Sequence, residues 1–338
     1  MPIVQSGSVN TTALVVPDLY VQIVTPQNFV LNGVPSNVLG VVGTAIWGPV
    51  GQPVLCATTA DYVLQFGAIQ ARTYDMGTQV YTAAAQGAQN FRCVRVTDGT
   101  DVAASVVVQS TCITFTAANT GTLGNSIQAI IAAGTKASTF KLTVTLPGRS
   151  PEVFDNIAGS GNALWLAMVA AVNRGNGALR PPSQLITAVA GAGTATPTLT
   201  TYTLAGGTDG VATITSAVLV GVDTTPRKGM YALRGQGCSI ALLADADDST
   251  QWTTQASFGL SEGIYMIATA VKSIAIANGT TGSVDVKATA GLDSYAVKLM
   301  HGDWIFWNDP VNGTLRSVSP QGFAAGRLAS LSPEQIRR

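Results

Sequence analysis

Asp245, Asp247 and Asp248 are the residues whose type and spacing come closest to a reactive centre. They follow the apolar run Cys238 to Leu243, and open α/β sheets hold their ligands at the carboxyl ends of such strands. Three carboxylates there could bind a divalent cation and serve a metal-dependent α/β enzyme. The competing reading, which the pattern favours, is a solvated loop opening the next helix, with Asp248 as its N-cap. Gly40 and Gly43, with Asp61 downstream, invite a dinucleotide loop. The third glycine is missing, Trp47 and Pro49 occupy the turn, and Asp61 is better placed as a helix cap, so no cofactor is expected. His301 is the only histidine, which excludes a multi-histidine metal site or a relay of two imidazoles. No nucleophile elbow or Cys-Gly signature accompanies it, and it reads as structural. Cys56, Cys93, Cys112 and Cys238 are scattered without a CxxC pair, as befits buried, reduced thiols.

The elements that would position such residues are plainest between Val38 and Gly67. Val38 to Ile46 is almost wholly apolar, which predicts a strand covered on both faces, ended by Gly48 and Pro49. Gln52 to Cys56 returns as a short strand. Thr58 and Asp61 form a capping pair for a helix that places Tyr62 and Phe66 on one side, with Gly67 as a left-handed stop. A second helix, Asp75 to Gly87, leads to the strand Asn90 to Val96 and completes a βαβ crossover. From Asp101 to about Ala205 the chain changes to Thr, Ala, Gly and Ser with short alternating runs at Thr111 to Thr116 and Phe140 to Leu146. One helix, Asn162 to Asn173, aligns Leu164, Trp165, Met168, Val169 and Val172, and Arg180 to Pro182 marks an exposed bend. The α/β pattern then resumes with strand Cys238 to Leu243, helix Ser249 to Glu262, strand Ile264 to Thr269, and Ser294 to Trp307, which begins as a helix and ends as a strand. Before all of this, Met1 to Pro17 has no helix period. An arm of this kind either moves or adds its apolar run Ala13, Leu14, Val15 and Val16 as a strand to something else, and Asp18 to Val24 alternates as a half-buried strand.

Composition narrows the function. The 338 residues carry 18 basic and 18 acidic side chains, and only 11% are charged, which argues against a surface that neutralises phosphates or anionic lipid. Direct nucleic-acid binding and membrane insertion are not expected, since no apolar run reaches the roughly 18 residues of a spanning helix. Nor does the start of the chain resemble a signal peptide, so folding in a cytoplasm is expected. Low charge with 46% apolar residues and 36 glycines suits a surface covered by copies of the same chain.

Several blocks recur in a fixed order. They are Val41 to Gly43 with Thr44, Ala45, Gly48, Pro49, Pro53, Val54, Asp61, Tyr62, Phe66 and Gly67; then Gly87, Ala88, Val94, Arg95 and Val96; then Gly124 and Asn125. Leu204 to Gly210 (LAGGTDG, with Gly206, Gly207, Asp209 and Gly210) is the most specific block, followed by Gly229 to Leu233. Tyr295, Ala296, Trp304, Asp309, Pro310 and Gly313 come next, then Val318 to Gly326, while Pro17, Tyr20 and Val21 match an entry strand. In this order they resemble the contractile tail sheath proteins of bacteriophages. Departures are Asp18 in the entry strand, Leu123 in place of an aromatic, Ala244 and Asp245 in place of Pro-Gly, and Gly302 and Asp303 at an expected proline.

The resemblance implies an α+β or α/β fold: a mixed-sheet core over 18–100 and 206–338, an inserted β-rich domain over 101–205 and an extended arm over 1–17. It implies a non-enzymatic virion protein without cofactor or metal, assembled in the host bacterial cytoplasm and located in the virion tail. Its partners would be its own copies in a helical homopolymer, the tail tube protein, and baseplate and tail terminator proteins. Ala13 to Val16 would exchange strands between neighbours, and contraction would drive the tube through the host envelope for genome ejection. The sheath of a phage-derived bacteriocin or injection system would read the same way. Sheaths continue beyond the Gly326 block into a domain that receives neighbours' arms. A native chain ending at Arg338 is therefore expected to be soluble and unable to form long sheaths.

Overall fold

The computed structural model describes residues 3–6, 20–23, 37–109, 111–175, 180–274, 282–300 and 302–331. The chain divides into two units, Met1–Val34 and Pro35–Arg338. In the first, strands β1 (Ile3–Ser6) and β2 (Tyr20–Ile23) pair in parallel, Ile3 opposite Tyr20 and Ser6 opposite Ile23. Ala13, Leu14, Val15 and Val16 lie outside the described residues, as does His301.

The second unit begins with β3 (Leu39–Gly43), β4 (Pro53–Cys56), helices α1 (Thr59–Phe66) and α2 (Met76–Ala85), and β5 (Phe91–Arg95). Next come β6 (Ser105–Val108), β7 (Ile113–Ala117), a 3-10 turn at Thr122–Ser126, β8 (Gln128–Ala133), β9 (Phe140–Thr145) and β10 (Glu152–Ile157). Helix α3 (Asn162–Arg174), β11 (Ile186–Ala190) and β12 (Thr201–Thr203) follow. The chain continues through α4 (Ser216–Val220), a 3-10 turn at Gly229–Leu233, β13 (Ile240–Leu243), α5 (Trp252–Glu262), β14 (Tyr265–Thr269) and α6 (Ser283–Thr289). It closes with β15 (Val297–Met300), β16 (Ile305–Asp309), β17 (Thr314–Val318) and α7 (Gln321–Ser330).

The central sheet runs β15-β14-β13-β3-β5-β4, parallel except for the antiparallel edge strand β4. Strand β3 is buried at every residue because both faces are covered, and its alternation divides the layers. Leu39 and Val41 pack with Tyr62, Phe66, Met76 and Val80 of α1 and α2 and with Ala325 and Ala329 of α7. Val42, Ala241 and Leu243 face Leu219, Met230, Leu233 and Phe258 on the opposite side. This is the expected mixed-sheet α+β architecture, with the crossover from β3 to a parallel β5 in place. Thr58 and Asp61 form the expected capping box at 3.1 Å in each direction, and the Tyr62 and Phe66 rings stack 5.4 Å apart.

Gly67 does end α1, but with φ +84° and ψ −176°, so it is not a left-handed helical stop. Its positive φ instead lets the chain turn flat against Ile46. The described residues of Ser294 to Trp307 form no helix: β15 pairs in parallel with β14, Met266 opposite Val297, and β16 starts at Ile305. A short apolar run is compatible with either period, and here the open sheet edge decides. The helices of this region are α6 before it and α7 after it. On α7, Gly322 and Gly326 let its backbone meet that of α2 at Gln79 and Ala83.

Between Ser105 and Thr203 lie two further antiparallel sheets, β10-β9-β8-β12 and β11-β7-β6. Phe115, Ile131, Leu142, Trp165, Met168, Val172 and Ile186 form their shared core, which also takes in Trp47 from the turn after β3. All four cysteines are buried free thiols. Among the described residues no helix is long and apolar enough to cross a membrane.

Candidate functional site

The chain leaves β3 toward β5 on one side and toward β13, β14 and β15 on the other, so the sheet's switch point lies between β3 and β13. That crevice is where an α/β enzyme would bind its ligand. Here the protein's own residues close it. The Thr44 N–H and hydroxyl both donate to the Tyr74 carbonyl, at 2.7 and 2.9 Å, and the Met76 N–H donates to the Thr44 carbonyl at 3.0 Å. A Cβ on Gly43 would meet the Tyr74 carbonyl at 2.9 Å, so the strand end admits only glycine against this loop.

Asp245 is part of the closure and corrects the reading of a solvated loop: it is buried, because the α2 and α7 chains pass over the strand end. Its carboxylate accepts the Tyr74 N–H at 3.1 Å and the Gln79 side-chain amide at 2.9 Å. Its own N–H donates to Gln321 Oε1 at 3.0 Å, Gln321 Nε2 donates to the Ile267 carbonyl, and Gln79 Nε2 also reaches Ser319 Oγ. Burial raises the Asp245 carboxyl above its ordinary range. Asp248 caps the 3-10 turn Ser249–Gln251 that leads into α5, and not α5 itself, accepting the Thr250 N–H at 2.9 Å, and Asp247 is half-buried with its carboxyl raised by desolvation and by Asp248. The three carboxylates thus hold separate posts, and no metal-ligating cluster of three acidic, His or Cys groups occurs among the described residues.

A second buried polar cluster joins the central sheet to the β-rich region. Arg95, at the end of β5, is 0% exposed. Its Nη1 donates to the Gly48 carbonyl (2.8 Å), the Thr120 carbonyl (2.7 Å) and the Thr120 hydroxyl (3.2 Å), while Nη2 reaches the Asp209 carbonyl (3.3 Å). The Asp209 carboxylate accepts the Thr122 N–H at 2.7 Å and pairs with Arg72 Nη1 at 2.7 Å. Asn125 and Gly207 exchange two hydrogen bonds, and the Asp98 N–H donates to the Gly210 carbonyl. Burial lowers the Arg95 pKa, opposed by Asp101 and Asp209. Gly48, Arg95, Gly207, Asp209 and Gly210, spread along the sequence, therefore meet at one junction, with Pro49 beside it; Gly206 is an exposed positive-φ turn.

The remaining motif residues occupy other places. Phe66 and Gly67 belong to α1 and its end, and Gly326 to the α2–α7 contact. Asp309 and Pro310 form the turn of the β16–β17 hairpin. Asp309, 0% exposed, accepts from the N–H groups of Val311 and Asn312, from the Asn312 amide and from Arg316 Nε. Arg316 Nη2 donates onward to Thr78 on α2 at 2.7 Å, which fixes the hairpin to the sheet layer. For Asp309, burial alone would raise the carboxyl, but the bonds from Asn312, Val311 and Arg316 outweigh it and hold the pKa low. The outward face of this hairpin carries Phe306 and Leu315, 72% and 69% exposed, beside uncharged Asn308 and Ser317; Tyr295 is 87% exposed. Sequence reasoning overlooked Arg72, Gln79, Thr120, Thr122, Arg316 and Gln321. Only Gln79 left a signal: a polar residue in a helical turn otherwise apolar or small, where burial would demand a partner.

No protein-family profile matches the chain, and no curated protein is similar to it in sequence. Solved structures are similar to it in fold. A sheath tail protein from Desulfitobacterium hafniense is 15% identical with a TM-score of 0.54, over 93% of this chain and 62% of that one. A sheath tail protein from Listeria innocua is 16% identical with a TM-score of 0.57, over 88% of this chain and 57% of that one. The chain has the fold of these sheath tail proteins and spans less than two thirds of the length of either.

Proposed function

We propose that this chain is a structural subunit of a contractile phage tail sheath, working by assembly and not by catalysis. The observation that carries the reading is the likeness of fold to two sheath tail proteins over 93% and 88% of the chain. The closed switch point agrees with it, since the polar groups an enzyme would turn toward substrate are bonded to one another. In this reading 18–100 and 206–338 form the packing core, 101–205 is an outer domain, and the arm over 1–17 adds Ala13 to Val16 to a neighbouring copy through backbone hydrogen bonds. A heterologous contact that does not close on itself builds a helix of copies, and contraction exchanges one packing of rigid subunits for another. The tail tube, baseplate and terminator proteins are the further partners, in a virion tail assembled in the bacterial cytoplasm.

Intact mass and negative-stain microscopy of the protein from its natural source test this. Hollow tubes of this subunit are expected. A small closed oligomer in every preparation would overturn the reading.

A further inference from the structure

Helix α5 carries a buried face whose polar atoms its surroundings do not pair. Trp252, Gln255, Ala256 and Gly259 fall at helical spacing along one buried stripe. At Gly259 the helix lies directly on the sheet: a Cβ there would stand 2.6 Å from the Ile264 carbonyl and 3.1 Å from that of Ala296. One turn back, Trp252 and Gln255 are both 0% exposed, yet Trp252 Nε1 and Gln255 Nε2 and Oε1 have no hydrogen-bond partner. The side chains clustered with Trp252 are apolar: Ala256, Ala268, Ala270 and Leu292. Within that cluster the Ala270 carbonyl is already taken by Trp304 Nε1 and the Thr269 hydroxyl. A buried donor or acceptor left unpaired favours a state that hydrates it by about tenfold.

Helix α6 packs on this cluster and is weakly built. It has seven residues, too few to stand alone, and Ser283, Val284, Asp285, Val286 and Thr289 are poor helix formers. Its N-cap, Gly282, offers no side chain to the free N–H groups. Val284 is 41% exposed, and the apolar hold of α6 on the body is Val286, Ala290 and the following Leu292. Helix α7 is secured differently, by Gln321 bonded to the Ile267 carbonyl and by two glycines that let its backbone meet α2. We propose that α6, with the turn to Leu292, is a cover that lifts from the body on its own and bares Trp252 and Gln255 of α5 while the central sheet stays folded. The closed state buries three apolar side chains and strands three polar atoms; the open state reverses both, so the two lie close in free energy. This device is independent of the sheath reading, since it rests on α5 and α6 alone.

Native-state hydrogen exchange of the full chain, followed by NMR, reads the opening. The Trp252 indole N–H should exchange together with the Val286 and Ala290 amides, which donate to the Gly282 and Val286 carbonyls. Corrected for intrinsic rates, these should exchange at least about a hundredfold faster than the Leu242 amide of β13. The Trp165 indole, equally buried but bonded to the Ala195 carbonyl at 2.9 Å, should stay protected. Gln255→Met removes the unpaired amide at similar volume, and should slow exchange at Trp252 and α6 by about tenfold. The native measurement decides whether or not the variant folds. A Trp252 indole that exchanges only at the rate of Leu242, or α6 amides that exchange while that indole stays protected, would overturn the proposal. So would a folded Gln255→Met chain in which Leu242 slows and α6 does not, because Gln255 would then meet water only in global unfolding.

Discussion

Two arginine–aspartate anchors hold this protein together, and they are built in opposite ways. At the hairpin, Arg316 and Asp309 are seven residues apart in one turn and meet directly, at 2.9 Å through Nε. At the junction, Arg95 does not touch the Asp209 carboxylate: it gathers main-chain oxygens from Gly48, Thr120 and Asp209, and the carboxylate goes to Arg72 and Thr122. The first anchor fixes the shape of one local element. The second satisfies backbone groups at segment ends with no ladder of their own, and so decides how two layers of the molecule sit together.

The largest effect should follow from breaking the second. Arg95→Ala leaves buried carbonyls at Gly48, Thr120 and Asp209 without a donor, and is expected to cost about 3–5 kcal/mol in urea unfolding. Arg95→Lys keeps the charge but cannot spread a planar fork over three segments, and should recover less than half of that loss. Full recovery by Lys would show that charge alone holds the junction, and would erase the contrast with the hairpin.

Arg316→Ala should cost less, about 1–3 kcal/mol, because Asp309 keeps its bonds from Val311 and Asn312. This variant should also change the acid response. The Asp309 carboxyl is held low, so its contribution is present above the ordinary carboxyl range and is lost as pH falls through the native value. Without Arg316 that loss begins at a higher pH, which acid titration followed by near-UV circular dichroism measures.

The contrast also marks what a sequence discloses. Strand β3, the capping box at Thr58 and Asp61, and the crossover to β5 were legible because their causes lie within a few residues: an unbroken apolar run, a cap spacing, a helical period followed by a strand. The Asp309 turn was not read as a turn: Asp309, Pro310 and Gly313 were noted only as part of the family resemblance, and the hairpin they close needs its partner strand to be seen. Nor was the junction legible. Arg95 sits in Val-Arg-Val, which reads only as strand, and the Arg72–Asp209 pair spans 137 positions that no local pattern connects. Asp245 misled for a related reason: its sequence neighbours Asp247 and Asp248 suggest solvent, whereas its partners Tyr74 and Gln79 come from another element. The run Ser294 to Trp307 failed because an apolar stretch of that length fits both periods until a sheet edge claims it.

Replacing Asp75, the N-cap of α2 three residues after Arg72, by Asn tests the junction side by a smaller step. Removing a buried acid that must ionise near neutrality should stabilise the chain at pH 8 by on the order of 1 kcal/mol. The gain should vanish toward acid, where the native carboxyl holds its proton. Thermal unfolding of both proteins at several pH values reads it, and a constant offset at every pH would assign the effect to the cap instead.

The smallest effect on stability, and the one most telling for function, concerns the hairpin's outward face. Phe306 and Leu315 stand 72% and 69% exposed on a ribbon whose other face is fixed to α2 through Arg316 and Thr78. Exchanging both for Ser removes no internal packing, so the unfolding free energy should move by less than about 0.5 kcal/mol. If the face belongs to a contact between copies, the same change should abolish tubes or large assemblies in microscopy while the monomer stays folded. A doubly substituted chain that still assembles would place the subunit contact elsewhere, and would leave the local anchor a purely structural device like its long-range counterpart.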